Sequence, residues 1–200
     1  SRYRDDSVIS AINRSEGRPV IVDPETRALL EYAVQCHALS EGLFDITSGV
    51  LRRLWRFDSS ANIPDTAAVE ALLPLVGMNK VRLESDRISL MPGMEIDFGG
   101  LGKEYAVDRA LLLLQTETEL PVMINFGGDL RVSGPRLGGR PWRVAIEQPD
   151  DSSAGAEMIE MVGGALTTSG DSKRFLLKDG VRYSHILDPR TGWPVVDPPR

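Results

Sequence analysis

With 200 residues, 42% hydrophobic and 26% charged side chains, the chain can form one domain, or two small ones, around a packed core, and long disorder is disfavoured. Its net charge of −6 disfavours general nucleic-acid binding, which needs a basic surface. No apolar run reaches the roughly 18 residues of a membrane span, and the single cysteine, Cys36, rules out an internal disulfide.

The elements follow in chain order. Residues 5–14, DDSVISAINR, predict a short helix starting at Asp6 or Ser7, with Val8, Ile9 and Ile12 as its apolar face. Residues 20–23 are a short extended piece. Asp23-Pro24 then supplies the N-cap and first position of a longer helix. Leu29, Leu30, Ala33 and Val34 are its apolar residues, and Gly42 can take a left-handed cap after Ser40-Glu41. Cys36 and His37 lie on this helix and read as packing residues. In GLFDITSGVLRRLWRF (42–57), Asp45 and Thr47 sit between apolar residues just before a short helix, VLRRLW. A polar loop follows over 58–66, then a helix, TAAVEALLPLVG (66–77).

KVRLESDRISLM (80–91) alternates on either side of Ser85-Asp86 and predicts a hairpin. MEIDFGG is the next predicted strand. GKEYAVDRALLLLQTE (102–117) is a long helix with Tyr105, Ala106, Ala110, Leu111, Leu113 and Leu114 as its apolar residues. PVMINFGGDLRVSG (121–134) reads as strand, turn, strand, and WRVAIEQP (142–149) alternates again. Residues 150–156 are a small-residue loop, and EMIEMVGGALTTSG (157–170) is a strand and a turn. KRFLLKDGVRYSHILD (173–188) is a hairpin about Asp179-Gly180. Three or four helices and about eight strands, mostly paired as hairpins, define an α+β class with mainly antiparallel sheets.

Polar residues break the apolar pattern at four places where elements end: 44–47, 97–103, 125–129, and 167–171 with 185–191. Such loops commonly carry function. In IDFGGLGK, Gly99 and Gly100 allow close backbone approach and a sharp turn. The helix that follows presents free N–H groups and a positive dipole to an anion, Lys103 adds a point charge, and Asp97 can accept from a sugar hydroxyl or an amine. The same stretch is equally a plain strand–turn–helix junction with a solvated lysine. INFGGDLRVSG is either a β-turn fixed by Asp129 or a second backbone approach to the same ligand. In SHILDPRTG, strand alternation puts His185 and Asp188 on opposite faces, so they do not form a simple adjacent pair. His185 is the better candidate for a general base near neutral pH. There is no HExxH, CxxC or EF-hand loop, so a Mg²⁺ site would have to use oxygen ligands, backbone carbonyls included.

Taken in order, SRYRDDSVISAINR, GLFDITSGVLRRLWRF, IDFGGLGKEYAVDRA, MINFGGDLRVSG, ALTTSGDSKRF and YSHILDPRTGWPV resemble the ApbE family of FAD:protein FMN transferases over nearly the whole chain. The resemblance implies an α+β, ApbE-like domain over 1–200 with FAD in a cleft at the strand ends. It also implies Mg²⁺-dependent transfer of FMN from FAD to a Thr or Ser hydroxyl of an acceptor flavoprotein, with AMP released. By the same resemblance, Tyr3, Leu43, Phe44, Asp45, Asp97, Lys103 and Ile186 are FAD contacts, the carbonyl of Gly100 is a metal ligand, and His185 is the catalytic base. The implied acceptor is a subunit of a membrane redox complex, and the implied location is periplasmic, with membrane attachment only through a lipid anchor outside these residues. Glu104 stands where the family commonly has Gly. The family's N-terminal strand, and a C-terminal segment whose Asp-rich stretch and Thr complete the metal site, are expected to lie outside this chain. Two alternatives stay open: an FAD-binding module that transfers nothing, and a hydrolase that splits FAD to FMN and AMP.

Overall fold

The computed structural model describes residues 4–58, 62–146, 157–167 and 175–196. Among them are four α-helices, three 3₁₀ helices and ten strands, the strands forming small sheets in which every pairing is antiparallel. The α+β class predicted above is therefore the observed one. The chain divides into two compact units, the first made of Ser1–Gly100 with Lys173–Pro198 and the second of Leu101–Ser172 with Pro199–Arg200.

Caps in the sequence explain the helices of the first unit. Helix α1 (Val8–Asn13) starts at Ser7, whose hydroxyl accepts from the Ser10 N–H. Helix α2 (Pro24–Leu39) starts at Asp23, whose carboxylate accepts from the Thr26 N–H at 2.8 Å and the Thr26 hydroxyl at 2.7 Å. It closes where Gly42, at φ +83°, donates to the carbonyl of His37 at 2.8 Å. Leu30 and Ala33 are the buried residues of its apolar face, whereas Val34 is exposed. The short helix expected at VLRRLW starts four residues earlier, as a 3₁₀ helix over Ile46–Arg53, because Asp45 caps it at Thr47. Helix α3 (Thr66–Leu72) is shorter than predicted. The chain tightens into a 3₁₀ turn at Leu73–Leu75, where Pro74 lacks the N–H an α-helix would use.

Strands β1 (Val20–Ile21), β2 (Arg82–Glu84) and β3 (Arg87–Ser89) form one sheet in the order β1-β3-β2. The hairpin of β9 (Phe175–Lys178) and β10 (Val181–Ser184) turns at Asp179-Gly180 as predicted. Val50, Leu51, Trp55 and Leu176 form a buried cluster edged by Tyr183, Leu187 and Trp193. Trp55 stands at its centre. It stacks on Phe57 with ring centroids 6.0 Å apart and meets the edge of Trp193 at 5.3 Å, and its Nε1–H donates to the carbonyl of Gly192 at 2.8 Å.

MEIDFGG, predicted as a strand, belongs to no sheet. Residues 94–98 pair with no strand, and the hydrogen bonds of Ile96 and Asp97 run to other partners. The amide of Asn13 pairs with both main-chain groups of Ile96: the Ile96 N–H donates to Oδ1 at 2.8 Å, and Nδ2 donates to the Ile96 carbonyl at 3.0 Å. The Asp97 N–H donates to the carbonyl of Ile46 at 2.9 Å. Gly49 lets the segment lie this close, since a Cβ there would come within 2.9 Å of the Asp97 Cβ. The alternating apolar residues Met94 and Ile96 are buried as a strand's would be, which is why periodicity could not tell the two cases apart.

In the second unit, helix α4 (Gly102–Glu117) has the predicted bounds. It buries Val107 and Leu111, whereas Leu113, expected on the apolar face, is 59% exposed. Strands β4 (Met123–Phe126), β5 (Asp129–Val132) and β8 (Gly164–Leu166) form a sheet in that order. Strands β6 (Trp142–Ile146) and β7 (Glu157–Met161) pair separately. The predicted "strand and a turn" over 157–170 is thus two strands that join different sheets, its last residues, like 147–156, lying outside the described ones. Leu130, Val132 and Met161 form the core, packed by Met123, Trp142, Val144, Ile159 and Leu166.

Asn13→Ala removes both hydrogen bonds to Ile96, which is fully buried. Leaving a buried amide unpaired costs about 2 kcal/mol, so the urea midpoint is expected to fall accordingly. An unchanged midpoint would mean that the Asn13 pairing does not hold this segment.

Candidate functional site

The loop after α2 carries Leu43, Phe44 and Asp45. Leu43 is exposed and Phe44 half-buried. The Phe44 N–H donates to the Ser40 hydroxyl at 2.9 Å, tying the loop back to the helix end. Asp45 is buried, and both its oxygens have partners. Oδ1 accepts from the Thr47 N–H at 2.8 Å and the Thr47 hydroxyl at 2.6 Å. Oδ2 accepts from the Met78 N–H at 3.2 Å and lies 3.5 Å from Nε2 of His37. Thr47 in turn accepts from the Gly77 N–H at 2.7 Å. Asp45 therefore fixes the shape of the loop that presents Leu43 and Phe44, and His37 contributes from α2.

The corner at 97–100 meets this loop. The Asp97 side chain accepts from the Gly99 N–H at 2.9 Å, and the Asp97 N–H reaches back to Ile46. Gly99 and Gly100 are both exposed. Neither has a positive φ, so the demand for glycine at 100 is spatial. A Cβ there would lie 2.8 Å from Cε2 of Phe44, so any other residue would push the ring out of its present seat. Leu43, Phe44, Asp45, Asp97 and Gly100, far apart in sequence, thus belong to one connected patch of the first unit.

His185 and Ile186 follow the end of β10. Buried Ser184 accepts from the Ile186 N–H at 3.0 Å, and the Ile186 carbonyl accepts from the Val195 N–H at 2.9 Å. The imidazole of His185 stands edge-on to Phe57 with ring centroids 6.2 Å apart. Asp188 is engaged by Arg190, whose Nη2 and Nε donate at 2.7 and 3.0 Å. Those bonds hold the Asp188 carboxyl below the usual carboxylate range. Phe57 and Asn13 support the site and were not singled out from the sequence. Aromatic density in LWRF pointed toward the first, and nothing in the local pattern distinguishes the second. Tyr3 and residues 168–171 lie outside the described residues.

Lys103 belongs to the second unit, as the second residue of α4. It forms an ion pair with Asp129, which is buried at the start of β5. Asp129 was expected to fix the turn before it. That turn carries left-handed Gly127 and Gly128, and the Asn125 side chain accepts from the Gly128 N–H at 2.9 Å.

Mg²⁺ takes about six oxygen ligands in near-octahedral geometry. Among the described residues no three His, Cys, Asp or Glu side chains gather to hold a metal ion. Among the described residues, the Gly100 carbonyl therefore has no such cluster beside it to complete a Mg²⁺ shell. Among the described residues no helix is long and apolar enough to cross a membrane.

The α+β scaffold agrees with the folds of known proteins. The model of the ApbE family matches residues 1–198, and the chain belongs to the ApbE family. An FAD:protein FMN transferase of Vibrio cholerae is 34% identical over 98% of this chain and 60% of its own length, and one of Treponema pallidum 31% identical over 97% and 59%. The crystal structure of the ApbE protein of Thermotoga maritima superposes with a TM-score of 0.88 at 36% identity, covering 97% of this chain and 64% of that one. The apo flavinyl transferase ApbE of Pseudomonas stutzeri superposes at 0.84 and 31% identity, over 98% and 62%. The chain spans about three fifths of the length of the curated relatives it matches.

The Asp188–Arg190 pair sets a pH dependence. Because the folded pKa of Asp188 is depressed, its stabilisation is fully present above the unfolded value of about 3.9 and is lost as pH falls through the lower folded value. Arg190→Ala is expected to lower the Tm at pH 7 and to converge on the unaltered chain once the pH falls below the depressed folded pKa of Asp188. A gap of constant size down to low pH would assign the loss to packing.

Proposed function

We propose that the chain carries the flavin-transfer site of an FAD:protein FMN transferase. It would bind FAD over the patch of Leu43, Phe44, Asp97 and Gly100, with Asp45 shaping the loop and Tyr3, Lys103 and Ile186 as further contacts. The observation that carries this is the seating of Phe44 against Gly100. It places an aromatic ring, two exposed glycine peptides and a carboxylate acceptor on one surface, which suits a ligand with ring, diphosphate and sugar parts. Family membership and the names of the relatives support the same reading.

The chemistry is a substitution at phosphorus. The acceptor's Thr or Ser oxygen attacks the phosphorus on the FMN side of the diphosphate, the bridging P–O bond breaks, and AMP leaves with the bridging oxygen. His185 takes the hydroxyl proton, since a neutral imidazole near pH 7 is suited to that transfer. Lys103, near the N-terminus of α4, would donate hydrogen bonds to the phosphate oxygens from an ammonium already paired with Asp129. A Mg²⁺ requirement, an acceptor that is a subunit of a membrane redox complex, and a periplasmic location belong to this proposal on the family resemblance alone.

A second reading is favoured by one observation, that the described residues do not assemble a metal shell. A chain with the FAD surface and without a complete phosphoryl-transfer site would bind FAD and transfer nothing.

Incubation with FAD, Mg²⁺ and an acceptor protein separates the outcomes. Flavin fluorescence on the acceptor band, abolished by EDTA, is expected for transfer. Free FMN without a labelled acceptor would show hydrolysis, and bound but intact FAD would show the binding module. His185→Ala is expected to lower transfer by about 10²–10⁴-fold with FAD affinity retained; loss of binding as well would make the residue structural. Asp97→Ala is expected to weaken FAD binding, and an unchanged affinity would remove Asp97 from the site.

A further inference from the structure

The ion pair between Lys103 and Asp129 has an unequal geometry. Asp129 is 1% exposed, whereas the Lys103 side chain is 51% exposed. The carboxylate is fixed inside the second unit, and the lysine reaches from it toward water at the start of α4. That is the wrong end of a helix for a cation. The first turn carries partial positive charge, and lysine there is disfavoured by about 0.3–1 kcal/mol unless something offsets it. Leu101, the N-cap residue, makes no side-chain cap bond.

Asp129 owes its place to the hairpin before it. Gly127 at φ +66° and Gly128 at φ +100° make the two-residue connection with both central residues left-handed, the form that matches strand twist. This turn pairs Phe126 with Asp129, and alternation along β5 does the rest. Leu130 and Val132 enter the core, and Asp129 and Arg131 share the other face. Arg131 meets Asp108 of α4 at 2.6 Å. The two ion pairs are in register, since five helical residues (103 to 108) advance about 7.5 Å and two strand residues (129 to 131) about 6.8 Å. The Asp108–Arg131 pair and buried Val107 and Leu111 already fasten the helix to the sheet. The second pair, Lys103 with Asp129, holds a cation at the helix start.

We infer that Asp129 is the positioning residue for Lys103, a buried carboxylate that holds the lysine ammonium ready for the FAD diphosphate. This rests on the proposed assignment of Lys103 to FAD. The Asp also cancels the lysine's charge before the ligand arrives, so its contribution is orientation, with the lysine side-chain entropy lost in advance of binding.

The experiment is a double-mutant cycle on FAD affinity, read by quenching of flavin fluorescence, in Asp129→Asn, Lys103→Gln and the double variant. Asp129→Asn is expected to raise the Kd about tenfold in the unaltered background and by less than about twofold beside Lys103→Gln. Equal affinity of Asp129→Asn and the unaltered chain overturns the inference. So does the same loss with and without Lys103, which would mean that Asp129 acts through the fold. If Lys103→Gln leaves the affinity unchanged, the FAD role of Lys103 falls and the inference with it, and an unaltered chain that fails to bind FAD overturns the functional proposal itself. Asp129→Glu, which keeps the charge and moves it by one methylene, is expected to retain more affinity than Asp129→Asn. Should Asp129→Asn fail to fold, Asp129→Glu takes its place in the cycle, and the same independence from Lys103 overturns the inference.

Discussion

The main chain at Ile96 and Asp97 is held by groups that are not strands, and the geometry of the first unit's candidate site follows from that. Asn13 uses its amide as a one-residue substitute for a neighbouring strand, accepting from and donating to the same residue. Ile46 takes the next N–H. A true strand partner would have continued past Ile96 and covered the Asp97 side of the segment with another chain. A side chain satisfies one residue and stops. The glycines at 99 and 100 are therefore left exposed while the buried peptides behind them are paired, as buried backbone must be.

Glycine at two positions, 49 and 100, makes this arrangement possible. At Gly49 the 3₁₀ helix approaches the 96–97 segment so closely that a methyl group would collide with main chain, and at Gly100 the same would happen with the ring of Phe44. Both demands are steric. Gly127 and Gly128 answer a different need, a left-handed turn. The two Gly-Gly sequences look alike on paper and act by different physics.

That difference marks how far the sequence could be read. Local signals held wherever the cause was local: Asp23-Pro24 as a helix start, Asp179-Gly180 as a hairpin turn, and the whole of α4. The grouping of 43–45 with 97–100 came from the family resemblance, because no local pattern states which loop meets which. The misreadings had nonlocal causes. MEIDFGG alternates like a strand and lacks only a partner, and the partner is a side chain 83 residues away. Asp129 follows Gly-Gly and reads as a turn residue; Asn125 also bonds within that turn, and the ion pair of Asp129 with Lys103 of a preceding helix has no local signal. Leu113 looked like part of the apolar face because leucines fill the end of α4 on every side, so periodicity carried little information there.

Phosphoryl transfer leaves a protein little covalent chemistry to do beyond placing the nucleophile and offsetting charge on the phosphate oxygens. Placement is well served: Asp45 fixes a loop, Asn13 and Ile46 fix a corner, and the Trp55 cluster and Ser184 brace the segments around His185. Charge rests, in the proposal, on Lys103, and the Asp129 carboxylate matches it. On the proposed reading, the surface around Phe44 and Gly100 recognises the shape of a dinucleotide. Affinity is therefore proposed to rest on that surface, and turnover on the imidazole of His185.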